Sequence, residues 1–140
     1  SEVEVKEAQE GDILKNGVVY IAPGGKHMRV VKKGTDYCIK LSDEPAIDGL
    51  RPCANVMYES LENCQYDEIT CVVLTGMGAD GTKGIQGLAA HHKKLHVIAQ
   101  DADTCVVYGM PKAIAQTGLV DEVVPLGSVA ETITKNVGVS

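Results

Sequence analysis

"EITCVVLTGMGADGTKG", residues 68–84, decides how the rest of the chain is read. Its first eight residues form a near-continuous apolar run, as expected of a strand covered on both faces rather than one alternating between core and water. Gly76, Gly78 and Gly81 follow, with one carboxylate, Asp80, among them. From about Thr82 the period becomes helical, with Ile85, Leu88 and Ala89 on one side. Strand, glycine loop and helix make the unit from which parallel sheets are built, and open α/β sheets place their ligand crevices at the carboxyl ends of their strands. Asp80 therefore stands where chemistry is expected.

Working outward, "LHVIAQ" (95–100) reads as the next strand. "MPKAIAQTG" (110–118) reads as a helix with Pro111 in its first turn and Gly118 at its end. "LVDEVVPL" (119–126) is a short strand, and Ser128 with Glu131 has capping-box spacing for a last helix carrying Ala130, Ile133 and Val137. Upstream, "VEVKEA" (3–8), "GVVYIA" (17–22), "KHMRVVKK" (26–33) and "YCIKLS" (37–42) are short strands separated by turn residues, a pattern that predicts antiparallel hairpins. Ala54, Met57, Tyr58, Leu61 and Cys64 then recur on one face of a helix. The expectation is an α/β fold in one domain spanning residues 1–140. It has a doubly wound, mostly parallel sheet with helices on both faces and an antiparallel hairpin region near the N-terminus.

Composition narrows the function. The 140 residues carry a net charge of −6 with no block of basic residues, which argues against nucleic-acid or anionic-membrane partners. No apolar stretch reaches the roughly 18 residues of a membrane span, and "SEVEVKEAQEGD" lacks a signal-peptide pattern, so a soluble chain without a secretion signal is expected. The 5 cysteines are odd in number and form no C-x-x-C pair. Reduced, mostly buried thiols in a cytoplasmic protein are the reading, not a disulfide scaffold or zinc site. His91, His92 and His96 read as solvated residues at a helix-to-strand turn. The i, i+4 spacing of His92 and His96 is interrupted by that turn, which makes them a poor metal pair.

The glycine loop admits more than one reading from its residues alone. Gly76, Gly78 and Gly81 spell G-x-G-x-x-G after a strand, and Asp101 follows 20 residues beyond Gly81, as in a dinucleotide site. Against this, Asp80 would face the pyrophosphate with like charge, and few residues follow the second strand. Alternatively Asp80 caps its helix and the glycines permit close packing.

A third reading comes from resemblance. "VYIAPGGKHM" (19–28), "KLSDEPAIDGLRP" (40–52), "TGMGADG" (75–81) and "AQDADTCVVYGMPKA" (99–113) occur in this order and resemble successive blocks of the catalytic domain of the chemotaxis protein-glutamate methylesterases, the CheB family. The likeness runs from "VKEAQEGD" to "VDEVVPL". It implies hydrolysis of receptor glutamate methyl esters and deamidation of receptor glutamines by a serine–histidine–aspartate triad, without metal or cofactor. Asp80 would be the triad aspartate, and main-chain N–H groups near Met77, flanked by Gly76 and Gly78, would help hold the oxyanion. Implied partners are methyl-accepting chemotaxis receptors and a receiver domain in the full-length protein.

The family's serine and histidine motifs are not found in this chain. Ser1, Ser42, Ser60, Ser128 and Ser140 are its serines, and none stands in a nucleophile elbow. The resemblance makes His27 a hairpin histidine lining the cleft or the surface, rather than the base. Leu50 stands where the family pattern has a histidine near the cleft, and Asn55 replaces an aspartate, departures that bear on substrate handling. Cys105 reads as a buried small residue. The chain is thus expected to be the C-terminal portion of a methylesterase catalytic domain, inactive alone and lacking the family's N-terminal strands. Either the other half or a second copy, in a homo-oligomer, would cover the gap. The alternative is a non-catalytic relative that binds a partner through the same fold.

Overall fold

The computed structural model describes residues 3–91 and 93–138; Ser1, His92 and Ser140 lie outside them. The chain divides into residues 1–65 and residues 66–140.

In the second unit, strands β5 (Glu68–Val73), β6 (Lys94–Gln100) and β7 (Glu122–Val124) form a parallel sheet in the order β5-β6-β7. Helix α2 (Thr82–Ala90) connects β5 to β6, α3 (Met110–Ala115) connects β6 to β7, and α4 (Val129–Val137) follows a single 3₁₀ turn over Leu126–Ser128. The two crossovers run the same way along the sheet, and with the right-handed connection that parallel strands take they put α2 and α3 on one face, where these helices touch each other. Val97, Ile98, Ala99 and Gln100 are buried in succession, so both faces of β6 are covered; α4, which packs on β5 and β6, covers the other face. Ile85, Leu88, Ile98 and Ile114 are fully buried and make this core without any Phe or Trp.

The first unit contains two small sheets. Strands β3 (His27–Lys33) and β4 (Asp36–Ser42) form the expected antiparallel hairpin, turned at Gly34 with φ +64°, a conformation open to glycine. Helix α1 (Ala54–Ser60) packs on β3, and Ser60 Oγ accepts from Val30 N at 2.9 Å. The helix buries Val56 and Tyr58 between the buried Cys53 and Cys64, while Met57 and Leu61 are half-buried.

Three expectations are corrected. Strands β1 (Glu4–Glu7) and β2 (Val18–Ile21) pair in parallel, not as a hairpin. The intervening segment does not turn back on β1 but joins the edge of β4, with Gly11 N donating to Ile39 O and Leu14 N to Tyr37 O, so β2 returns in the original direction. The capping box at Ser128 does not form: with φ −105° and ψ −1° the residue is already helical rather than extended, and its side chain caps nothing. Finally, α4 buries Val129 and Thr132, leaving Ala130 and Val137 exposed. Polar anchors set that rotation: Thr132 Oγ1 donates to Ser128 O, and Asn136 Nδ2 donates to Glu122 Oε2 at 2.9 Å.

Glu122 also accepts from His96 Nε2 at 2.6 Å, and Asp121 Oδ2 lies 3.9 Å from His96 Nδ1. His96 is therefore a strand residue set between two carboxylates, not a solvated loop histidine. The His96 hydrogen bond, then that of Asn136, hold the Glu122 carboxyl below its ordinary value of 4.5. A carboxylate lowered in the fold stabilises it above the ordinary value and loses that contribution as pH falls through the folded value. Glu122→Gln is accordingly expected to lower Tm at pH 7. The gap from the parent should narrow between about pH 5 and pH 3, as thermal melts across that range would show.

Candidate functional site

The loops leaving the carboxyl ends of β5 and β6 are bonded to each other. Gly76 N donates to Val107 O at 3.0 Å, and Gly76 O accepts from Met110 N at 2.9 Å and Gly109 N at 3.2 Å. Thr75 Oγ1 accepts from Val107 N at 2.9 Å and donates to Val107 O at 3.1 Å. Beneath them, Gln100 at the end of β6 is 1% exposed. Its Oε1 accepts from Thr75 N at 2.8 Å, while its Nε2 donates to Thr104 O at 2.9 Å and reaches Thr104 Oγ1 at 3.2 Å. Thr104 Oγ1 in turn donates to Asp101 Oδ1 at 2.6 Å and accepts from Leu126 N at 3.0 Å, which ties in the loop after β7.

Packing of this kind needs bare backbone. A Cβ on Gly109 would lie 2.6 Å from Gly76 O, 2.9 Å from Gly78 N and 3.1 Å from Gly78 O. The close approach that the glycines permit is thus of one loop to the other. Asp101, read as a candidate ribose ligand, instead closes its own turn by accepting from Thr104 N at 3.0 Å.

Beyond the bonded pair at 75–76 the loop is turned by Gly78 at φ +85° and Gly81 at φ +96°, values that a side chain tolerates poorly. Gly81 is the N-cap of α2, so Asp80 stands half-buried immediately before the N-cap, where the positive end of the helix dipole favours negative charge. Among the described residues the main-chain N–H groups of Met77 and Gly78 have no hydrogen-bond partner. Met77 is 83% exposed, and Val106 on the neighbouring loop is 91% exposed.

The first unit holds the remaining residues singled out by sequence. His27 is buried rather than at a surface: its Nε2 donates to Pro45 O at 2.9 Å and its Nδ1 has no partner, an arrangement that anchors the loop after β4. Arg29 to Glu44 at 3.0 Å and Lys26 to Asp43 at 2.6 Å hold the same loop from its outer side. Leu50 closes a tight turn, exchanging backbone bonds of 2.9 and 2.8 Å with Ile47, and Asn55 is half-buried in the first turn of α1. Ser42 Oγ accepts from Arg29 at 3.3 Å. Back in the second unit, Cys105 is half-buried rather than buried, whereas the other four cysteines are buried and all five are free thiols.

This geometry defines an open parallel α/β unit with a carboxylate-bearing loop fixed at the carboxyl end of its first strand. A family model described as CheB methylesterase matches residues 1–133. A protein-glutamate methylesterase/protein-glutamine glutaminase of Desulfotalea psychrophila is 44% identical over 138 residues, covering 97% of this chain and 37% of its own length. One from Saccharophagus degradans is 45% identical over 137 residues, covering 98% of this chain and 36% of its own. The crystal structure of the Thermotoga maritima CheB methylesterase catalytic domain superposes with a TM-score of 0.85 at 35% identity, covering 93% of this chain and 68% of that one. The chain belongs to the CheB methylesterase family, and it spans little more than a third of the length of these curated relatives.

Sequence reasoning reached the Asp80 loop but passed over Thr75, Gln100, Thr104 and Gly109, which hold it. The available signal was Gln100 itself, an amide ending the otherwise apolar run "LHVIA". Gly109→Ala drives a methyl into backbone and is expected to cost about 1–3 kcal/mol or more. A Cβ at Gly76 would meet the flexible Met110 side chain, Sδ at 2.6 Å, which can rotate aside. Gly76→Ala is therefore expected to be the milder of the two in urea melts.

Proposed function

We propose that residues 1–140 are the C-terminal portion of the catalytic domain of a protein-glutamate methylesterase and glutamine deamidase, with Asp80 as the triad aspartate. The observation that carries this reading is the fixed loop that holds Asp80 at the carboxyl end of β5, next to main-chain N–H groups left without partners. In the reaction a serine oxygen attacks the ester carbonyl, and a histidine takes the serine proton and passes it to the departing methanol. Water then hydrolyses the acyl-enzyme by the same route in reverse. Asp80 accepts a hydrogen bond from the other imidazole nitrogen, fixes its tautomer and stabilises the imidazolium. The N–H groups of Met77 and Gly78 face the oxyanion. The serine and histidine come from chain outside residues 1–140.

The substrates are glutamate methyl esters and glutamines of methyl-accepting chemotaxis receptors. The working protein is cytoplasmic and joined to a receiver domain. Among the described residues no helix is long and apolar enough to cross a membrane. Two features support an upstream segment, or a second copy, lying against this chain. β5 has an unpaired outer edge among the described residues, and Val5, Val19 and Ile21 form an exposed apolar face on the β1–β2 pair.

Methanol release from methyl-labelled receptor tests the assignment. Residues 1–140 alone are expected to release none. Joined to the serine- and histidine-bearing segment of a family member they should regain activity, and Asp80→Ala should then cost about 10⁴-fold in kcat. Full activity of the chain alone would sink the reading. Sedimentation and dye binding test the uncovered surface: residues 1–140 are expected to self-associate or bind an apolar dye. A clean monomer that melts cooperatively and binds none would remove the need for a covering segment.

A further inference from the structure

We infer that Gln100 is a positioning residue for the reaction, holding the Asp80 loop in register through Thr75, an assignment that rests on Asp80 being the triad carboxylate. Among the described residues, Gln100 is the only side chain that bonds both Thr75, five residues before Asp80, and Thr104, in the loop after β6. An amide suits the place because it supplies an acceptor and two donors at once. Thr75 N–H needs the acceptor, and Thr104 O and Oγ1 need the donors.

Thr75 cannot find a substitute at low cost. Its hydroxyl is already committed in both directions to Val107, and the backbone of Gly76 is committed to Val107, Gly109 and Met110. A shift of Thr75 N therefore moves Gly76 against Gly109, where the backbones already lie too close to admit a side chain. That shift passes along the five residues to Asp80, whose other end is fixed by α2. The Thr104 hydroxyl extends the frame to Leu126 N, so three successive strand-to-helix loops share one buried amide. Loss of the amide changes where Asp80 stands without removing anything that touches substrate.

Replacements separate this role from general support. Leucine fills similar space but takes away the partner that Thr75 N–H and Thr104 O have in this part-buried site. Glutamate has the same shape. Ionised, it accepts from Thr75 N–H but faces Thr104 O without a hydrogen to give; protonated, it regains a donor.

The experiment measures kcat and KM across pH for residues 1–140 joined to the serine- and histidine-bearing segment, alongside Asp80→Ala. Gln100→Leu is expected to lower kcat by about 10²-fold, the effect of a misplacement of about 1 Å, with KM within about twofold of the parent. For Gln100→Glu, the ratio of its kcat to the parent's should rise as pH is lowered from about 8 to about 6, as the introduced carboxyl gains its proton. Amide exchange in Gln100→Leu should quicken at residues 75–81 and 104–109 while β5 and β6 stay protected. If Gln100→Leu does not fold, the isosteric Gln100→Glu decides. Both variants within twofold of the parent kcat, with Asp80→Ala still strongly impaired, would overturn this inference and leave the Asp80 assignment standing. A loss that is equal at every pH and accompanied by a raised KM would overturn it too, as general damage. An unimpaired Asp80→Ala would remove the premise itself.

Discussion

The carbonyl and N–H of Gly76 carry the constraint on which the second unit depends. They bind the chain leaving β5 to the chain entering α3, at Val107, Gly109 and Met110, as a parallel bridge beyond the end of the sheet. Each such bond is worth only about 1 kcal/mol net, but leaving a buried partner unmade costs about 1–3 kcal/mol. The bridge is therefore protected less by its strength than by the lack of alternatives for Thr75 N, Gly76 O and the Gln100 amide. Gly109 makes it possible by presenting no side chain at the closest approach. The start of α3 follows, since Met110 N, at the first helical residue, bonds outside its own helix to Gly76 O.

Buried polar groups are treated differently in the two units. Gln100 is satisfied at both ends of its amide and ties together elements that are distant in sequence. His27 is equally buried, but only its Nε2 is bonded, and its reach is the neighbouring loop. A fully satisfied interior amide specifies one arrangement of its surroundings, whereas the ring fixes its surroundings through one bond alone. This places the tighter specification in the unit that bears Asp80.

What could be read from the residues follows from how local each determinant is. The run 68–75, its glycine loop and the helix from Thr82 were legible because strand burial and helical period are written into neighbouring residues. The hairpin at Gly34 was legible for the same reason. The parallel pairing of β1 with β2 was not, because residues 11–14 choose between turning back on β1 and joining the edge of β4, and the strand they choose lies some 25 residues further on. Ser128 and Glu131 have capping-box spacing, but a 3₁₀ turn ahead of them removes the extended backbone that the box requires. The face of α4 was misjudged by counting apolar residues, whereas Thr132 and Asn136 set its rotation through polar bonds. Asp80 was located by pattern and by resemblance, while the residues that hold it, Thr75, Gln100, Thr104 and Gly109, are scattered over 35 positions and meet only in three dimensions.

The Asp80 loop joins a bonded base to a tip whose N–H groups are unspent. Residues 75 and 76 spend their polar groups on the neighbouring loop; Met77 and Gly78 spend no N–H at all among the described residues. On the reading proposed above, a developing oxyanion would take those groups without breaking a bond inside the fold. Preorganised donors of that kind act because their cost was met when the protein folded, not when the reaction begins. On that reading the donors and the carboxylate both stand within six residues of one bonded base. The glycines at 78 and 81 turn the loop beyond that base, and the buried amide of Gln100 holds the base to the chain after β6.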